Sequence, residues 1–182
     1  MADLIVTTGA KMEAANVRLA KEAAQRLSAR YVERGRASLP SLRRKYHALH
    51  ILIVRHGELF LAMPEGEFFF HPNMAHVRVK NLRQGKPDHF VEAAGLRAGM
   101  TVLDCTLGLG ADAIVASYVT GRKGNVRALE SRPLIAAIVS FGLARPREME
   151  YMAEAMQRIQ VIAADYRDFL RHQRLVDRKS VV

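Results

Sequence analysis

The chain has a single cysteine and no tryptophan, and acidic side chains are in short supply. Cys105 alone cannot close an internal disulfide or build a multi-cysteine zinc site, so a reducing compartment suits the protein and a cytoplasmic location is expected. No stretch approaches the roughly 18 uncharged apolar residues of a spanning helix. The start, MADLIVTTGAKME, has neither a basic leader nor a cleavage-site pattern, so no membrane partner and no secretory signal are expected. The seven histidines form no H-E-x-x-H and lack cysteine partners, which argues against a metal site. Internal repeats and low-complexity segments are absent as well.

What is present is apolar and basic. With 182 residues, 49% of them hydrophobic, the chain can fold as one domain with a small appendage. The 28 Lys+Arg against 18 Asp+Glu leave a net charge of +10, which favours a polyanion through counterion release and makes nucleic acid the default partner. Residues 1–90 hold 15 basic and 8 acidic side chains against 13 and 10 in residues 91–182, so the anion-binding face is expected in the first half.

Two kinds of pattern follow one another. Leu4 to Thr7 is β-rich, and Ala15, Leu19, Ala23 and Leu27 mark one face of a helix over residues 12–32. Gly35 and Pro40 interrupt, a short helix starts from Ser41, and HILIV (50–54) reads as a buried strand. After the turn at Gly57, the runs 58–63 and 67–70 suggest a hairpin or meander. We read residues 1–85 as a small, basic α+β domain. From residue 86 strand and helix alternate: MTVLD (100–104), helix 111–119, NVRALE (125–130), helices 133–144 and 148–156, QVIAA (160–164), helix 166–172. That alternation predicts an α/β domain with a parallel sheet covered on both faces.

The informative stretch is VLDCTLGLGADA (102–113). Gly108 and Gly110 lie between a strand and a helix, where missing side chains let the backbone turn and approach a ligand. G-x-G-x-x-A also fits a dinucleotide loop, with Glu130 about where that loop puts its ribose acid. Asp104, four residues before Gly108, changes the preference: a carboxylate there opposes a pyrophosphate but receives the cationic aminoacyl-sulfonium of S-adenosylmethionine. Glu130 after the second strand can accept ribose hydroxyls, and Asp165 after the third the adenine amine. Taken singly, each acid is as well explained as a helix cap. Cys105 has no activating neighbour at motif spacing and is read as a small packing residue.

Between the halves lies FFFHPNMAHVRVKNLRQGK (68–86), with His76, Arg78, Lys80 and Arg83 as candidate RNA contacts. Of the three phenylalanines at least one is expected in the core, in preference to a role as stacking platforms. A second basic cluster, Arg34, Arg36, Arg43, Arg44 and Lys45, lies earlier, with Arg43 and Arg44 as further RNA candidates.

VLDCTLGLGADAIVAS, LESRPLIAAIVSFGLAR and NMAHVRVKNL together resemble the bacterial S-adenosylmethionine-dependent methyltransferases of the RsmJ (YhiQ) type, over most of residues 1–173. The resemblance implies a Rossmann-like class I methyltransferase domain behind a small N-terminal domain, with activity on the N2 amine of a guanine in small-subunit ribosomal RNA. It implies cofactor contacts at Ala111, Asp112, Glu130, Ser131, Asp165 and Tyr166, and it matches M-A-H-x-R to Met74, Ala75, His76 and Arg78. The family's Asp-Pro-Met-aromatic segment, which orients the target amine, has no counterpart, since no Asp-Pro or Asn-Pro occurs. The chain therefore reads as an N-terminal piece of such an enzyme, with an incomplete sheet, no assignable catalytic residue, weak or absent catalysis by itself, and an open edge beside the first strand that invites self-association. Two other readings remain: a methyltransferase acting on a protein or small molecule, and a non-catalytic RNA-binding module. A nicotinamide-dependent oxidoreductase is disfavoured by Asp104.

Overall fold

The computed structural model describes residues 3–63, 66–146 and 149–172. The chain divides into two compact units at Phe70/His71. The sequence boundary was expected at residue 85; it falls earlier because residues 73–83 are a helix that packs within the second unit.

The first unit runs β1 (Leu4–Thr8), α1 (Ala14–Arg26), β2 (Arg30–Tyr31), α2 (Leu39–Tyr46), β3 (His50–Arg55), β4 (Glu58–Met63) and β5 (Gly66–Phe69). Its strands form one mixed sheet in the order β2-β1-β3-β4-β5, with β1 parallel to both β2 and β3 and the remaining pairs antiparallel. β1 lies inside the sheet between β2 and β3, and all five of its residues are buried, as its β-branched run suits. The hairpin between β3 and β4 closes on His56 and Gly57, at φ 52° and 68°, the left-handed pair that a two-residue turn of matching twist requires. Pro40 does not break α2: it sits in the first turn, where its missing N–H is harmless, and the Ser38 side chain caps the Ser41 amide at 3.2 Å. Ile5, Ile51, Ile53, Phe60 and Ala62 form a core with Val32, Leu42 and Ala48.

Helix α1 turns a different face inward from the one expected. Asn16, Ala20, Ala23 and Ala24 are buried, while Ala15 is exposed and Leu19 and Leu27 only half-buried. Asn16 tolerates burial because its amide donates to Glu13 Oε2 and its carbonyl accepts the Gly57 N–H at 2.9 Å. None of the three consecutive phenylalanines is fully buried, contrary to expectation. They lie at and just after the edge strand β5, where Phe69 stacks on Phe60 at 5.0 Å and stays 36% exposed.

The second unit contains α3 (Asn73–Arg83), α4 (His89–Ala93), β6 (Thr101–Asp104), α5 (Ala111–Thr120), β7 (Asn125–Glu130), α6 (Pro133–Leu143), α7 (Glu150–Gln157), β8 (Gln160–Ala163) and α8 (Tyr166–His172). The sheet is parallel in the order β6-β7-β8. Helix α5 is the hub, with Ala113, Ile114, Val115, Ala116, Ser117 and Thr120 all buried. Two polar bonds stitch it to the α7 segment: Ser117 Oγ donates to the Ala155 carbonyl at 2.7 Å, and Arg158 Nη2 donates to the Ser117 carbonyl at 2.8 Å. Val102, Asp104, Val126 and Ala128 share the buried face of the sheet. On the other face Leu129 is fully buried, but Leu103 and Arg127 are half-buried and Thr101 and Asn125 exposed, while on the first face Ala163 of β8 is exposed, so among the described residues neither face is covered throughout, short of the cover expected on both. The chain moves one strand at a time in one direction, and right-handed crossovers then place successive helices on the same side. No helix among the described residues is long and apolar enough to cross a membrane.

Candidate cofactor site

The site grows from the carboxyl ends of three adjacent parallel strands, where crevices in open α/β sheets lie. Asp104 ends β6, Glu130 ends β7, and Asp165 follows β8. All three use the same local bond: Asp104 Oδ1 accepts the Thr106 N–H at 2.8 Å, Glu130 Oε1 the Arg132 N–H at 2.9 Å, and Asp165 Oδ1 the Arg167 N–H at 2.8 Å. Each carboxylate is thus pinned by one oxygen and keeps the other for a ligand, and only Asp165, directly before α8, stands where a helix cap does. Glu130 is half-buried and Asp165 exposed, whereas Asp104 is only 7% exposed. Burial pushes the Asp104 carboxyl up from its ordinary value, and the nearby Asp112 adds to the rise against the pull of the Thr106 amide. Among the described residues no cationic side chain pairs with it.

The loop after Asp104 is built for close approach. Leu107 is buried and its N–H bonds to the Leu129 carbonyl at 2.8 Å, which ties the loop to β7. Gly110 starts α5 at φ 76°, and a Cβ there would come within 3.4 Å of Leu107 Cδ1 and 3.7 Å of Val139 Cγ1. Gly108, at φ 50°, is exposed. No side chain caps the first turn of α5, so its amides face outward for an anion or a polar ligand. Beside the loop a small pocket of about 50 Å³ is lined by Phe90, Val102, Asp104, Thr106, Asp112, Ala113 and Ala116.

Arg78 is not a free surface cation. Its Nε and Nη2 grip both oxygens of Asp88 at 2.8 and 2.9 Å, and its Nη1 reaches Asp112 Oδ1 at 2.6 Å. Asp88 in turn caps α4 through the Val91 amide, and the guanidinium lies 5.4 Å from the Phe90 ring centre. One side chain from α3 therefore fixes the start of α4 and the first turn of α5, and with them two walls of the pocket. The two carboxylates raise the Arg78 pKa, and Arg78 holds the Asp88 carboxyl below its usual range. His76 is likewise engaged, its Nδ1 2.6 Å from the Tyr151 hydroxyl, and Arg83 lies over the Tyr151 ring at 4.8 Å. Burial and Asp104 raise the thiol pKa of half-buried Cys105, which leaves it a poor nucleophile.

A parallel βα sheet, a glycine loop and acids on successive strands match a family model described as "Putative SAM-dependent methyltransferase" over residues 63–182. The chain belongs to this SAM-dependent methyltransferase family. S-adenosylmethionine is thus the cofactor of its family, and the site's buried, cation-free acid suits it. The chain is 36% identical over 163 residues to the "Uncharacterized protein YpiP" of Bacillus subtilis, covering 88% of this chain and 63% of that protein. It is 33% identical over 107 residues to the "Ribosomal RNA small subunit methyltransferase J" of Alkalilimnicola ehrlichii, covering 57% of this chain and 39% of that one. The crystal structure of a SAM-dependent methyltransferase from Neisseria gonorrhoeae superposes with a TM-score of 0.57 at 16% identity, over 91% of this chain and 61% of that one, a likeness of fold. The chain spans less than two thirds of the length of these relatives.

The expected cofactor residues gather at one sheet edge: Asp104, Gly108, Gly110, Ala111 and Asp112 around the first strand, Glu130 and exposed Ser131 after the second, Asp165 and Tyr166 after the third. The expected RNA contacts fall in both units. Lys80 and Arg83 are exposed on α3, Arg78 and His76 are tied inward, and Arg43 and Arg44 lie on α2, where Arg43 Nη2 donates to the Ala62 carbonyl at 3.2 Å. Sequence reasoning missed Phe90, Thr106 and Asp88. The signal for Asp88 was there, an Asp immediately before the short helical run HFVEA.

Proposed function

We propose that the protein binds S-adenosylmethionine at the carboxyl edge of β6, β7 and β8 and methylates RNA. The observation that carries this reading is Asp104, a carboxylate 7% exposed beside a glycine loop and a pocket, bonded to the Thr106 amide and lacking a cation among the described residues. A buried carboxylate without a counter-ion is costly, and a cationic ligand relieves that cost where a phosphate would raise it. S-adenosylmethionine, when bound, supplies a methyl group on a positively charged sulfur that an amine can take by displacement. The chain's own part is to position the reactants and exclude water. Asp104 receives the cationic aminoacyl end. Gly108, Gly110 and Ala111 bring backbone close, with Asp112 at the rim. The second oxygen of Glu130, with Ser131, takes ribose hydroxyls, and Asp165 with Tyr166 borders the adenine.

RNA as the substrate is supported by the +10 charge and by relatives named as ribosomal RNA methyltransferases. Lys80 and Arg83, exposed on α3, and Arg44 on α2 are the phosphate contacts of this reading. Its finer form is methylation of a guanine N2 in small-subunit ribosomal RNA, in the cytoplasm. The outer edge of β6, which among the described residues pairs only with β7, is where a second copy would add, and sedimentation at rising concentration tests that.

Calorimetric titration of the folded chain with S-adenosylhomocysteine, with Glu130→Ala beside it, tests the cofactor reading. Micromolar binding that is lost in the variant supports it. No heat from a well-folded sample refutes binding by this chain and leaves an RNA-binding module.

A further inference from the structure

We propose that the first unit carries an anion site of its own, at the carboxyl edge of β1, that takes a phosphate group. It lies outside the cofactor site and goes beyond the methyl-transfer reading. The topology points there first. The chain leaves β1 to form β2 on one side, then returns to form β3 on the other, so the strand order β2-β1-β3 reverses at β1. Open α/β sheets bind ligands at such a reversal, beyond the carboxyl ends of the strands.

The side chains at that edge are unusual for a core strand. Thr7 and Thr8 end β1, both 0% exposed, and neither hydroxyl has a hydrogen-bond partner among the described residues. Strand alternation sends Thr8 to the face shared with Val6 and Thr7 to the face shared with Ile5, so one unpartnered hydroxyl stands on each side of the strand end. Buried hydroxyls without partners are costly, and a ligand oxygen at the strand end supplies what the protein does not. Gly9 follows, and a Cβ there would meet Arg55 Cβ at 3.2 Å, so the backbone passes too close for an ordinary side chain.

Further donors come from the elements that meet this edge. Helix α1 begins five residues after Gly9 with no side-chain capping bond and no acid in its first turn, and the bond from Asn16 to the Gly57 amide fixes that turn at the β3–β4 end of the sheet. Arg34, from the loop after β2, reaches the Thr8 carbonyl with Nη1 at 3.4 Å and the Ala37 carbonyl with Nε at 3.3 Å, which leaves guanidinium N–H groups for an anion. Lys11 is exposed in the loop itself. Of the nearby carboxylates, Glu13 is turned onto Asn16, and Glu33 lies near the Tyr31 phenol. Unpartnered hydroxyls, a glycine at the strand end, open helix amides and a guanidinium form the donor set that holds a phosphate.

The test follows backbone amides by NMR in the full chain during titration with inorganic phosphate, adenosine monophosphate and a short RNA. Phosphate is expected to move the Gly9, Lys11 and Asn16 resonances, and Thr8→Val and Arg34→Gln are each expected to weaken the response by about tenfold. If the nucleotide matches phosphate and the RNA adds nothing, the source is a free nucleotide. If the RNA binds tighter at the same amides and loses affinity with salt, the source is a strand backbone. A titration that moves no amide at this edge overturns the proposal. So does a Thr8→Val chain that binds phosphate as the wild type does, because the hydroxyl then only fills space.

Discussion

Replacing Arg78 by methionine separates two ion pairs that differ in burial. Toward Asp88 the guanidinium makes two bonds, with side-chain exposures of 20% and 9%; toward Asp112 it makes one, with Asp112 57% exposed. Exposed pairs contribute roughly 0–1 kcal/mol, while stripping the partner from a buried charge costs about 3–5 kcal/mol. Asp88 keeps its bond to the Val91 amide, which softens the loss. We therefore expect Arg78→Met to destabilise the second unit by about 2–3 kcal/mol at neutral pH, and Asp112→Asn by less than about 1 kcal/mol. The pH dependence identifies the cause. Arg78 depresses the Asp88 carboxyl in the folded state, so its stabilisation is complete above the unfolded carboxylate value of about 4 and fades as pH falls through the depressed one. Urea unfolding of both variants between neutral and acid pH measures this. A neutral-pH penalty below about 0.5 kcal/mol for Arg78→Met, well short of a broken buried pair, or a penalty unchanged in acid, refutes the assignment.

Three further outcomes are expected. Asp104→Asn should stabilise the chain at neutral pH, because burial raises this carboxyl and disfavours its ionised form, yet abolish S-adenosylhomocysteine binding; denaturation and calorimetry on one sample decide it. In the wild type, affinity for that ligand should fall on acidification beginning above the ordinary carboxylate value of about 4, and a flat calorimetric profile down to that value would contradict it. Gly110→Ala should cost about 1–2 kcal/mol, from the φ of 76° and the contact with Leu107, as read by urea midpoint.

The strands and helices from residue 100 onward were legible almost residue by residue, because buried parallel strands read as short apolar runs and each ends in an acid or a turn. NVRALE is β7 to the residue. Helix α3 was hidden, since its inward residues Ala75 and Val79 are small or isolated while Met74 and Val77 point outward at 64% and 51% exposure. The face of α1 was misread for the opposite reason: a polar residue, Asn16, belongs to the core, and its partner Gly57 lies far along the chain. The role of Arg78 was beyond reach of local pattern, because charge counting sees a cation but not the carboxylates at positions 88 and 112 that claim it.

The two sheets also differ in how far the chain must travel before a strand finds its neighbours. In the second unit every strand pairs with the next one in sequence, so β6, β7 and β8 can assemble in order as each crossover closes. In the first unit β1 waits: Leu4 pairs with His50, and until β3 arrives β1 has only the two-residue β2 beside it. Closing that long loop is the slow, entropically costly event, and an apolar strand left unpaired meanwhile is exposed to other chains. Refolding from denaturant should show the second sheet protected against hydrogen exchange before the first, with the Ile5 and Val6 amides among the last to be shielded.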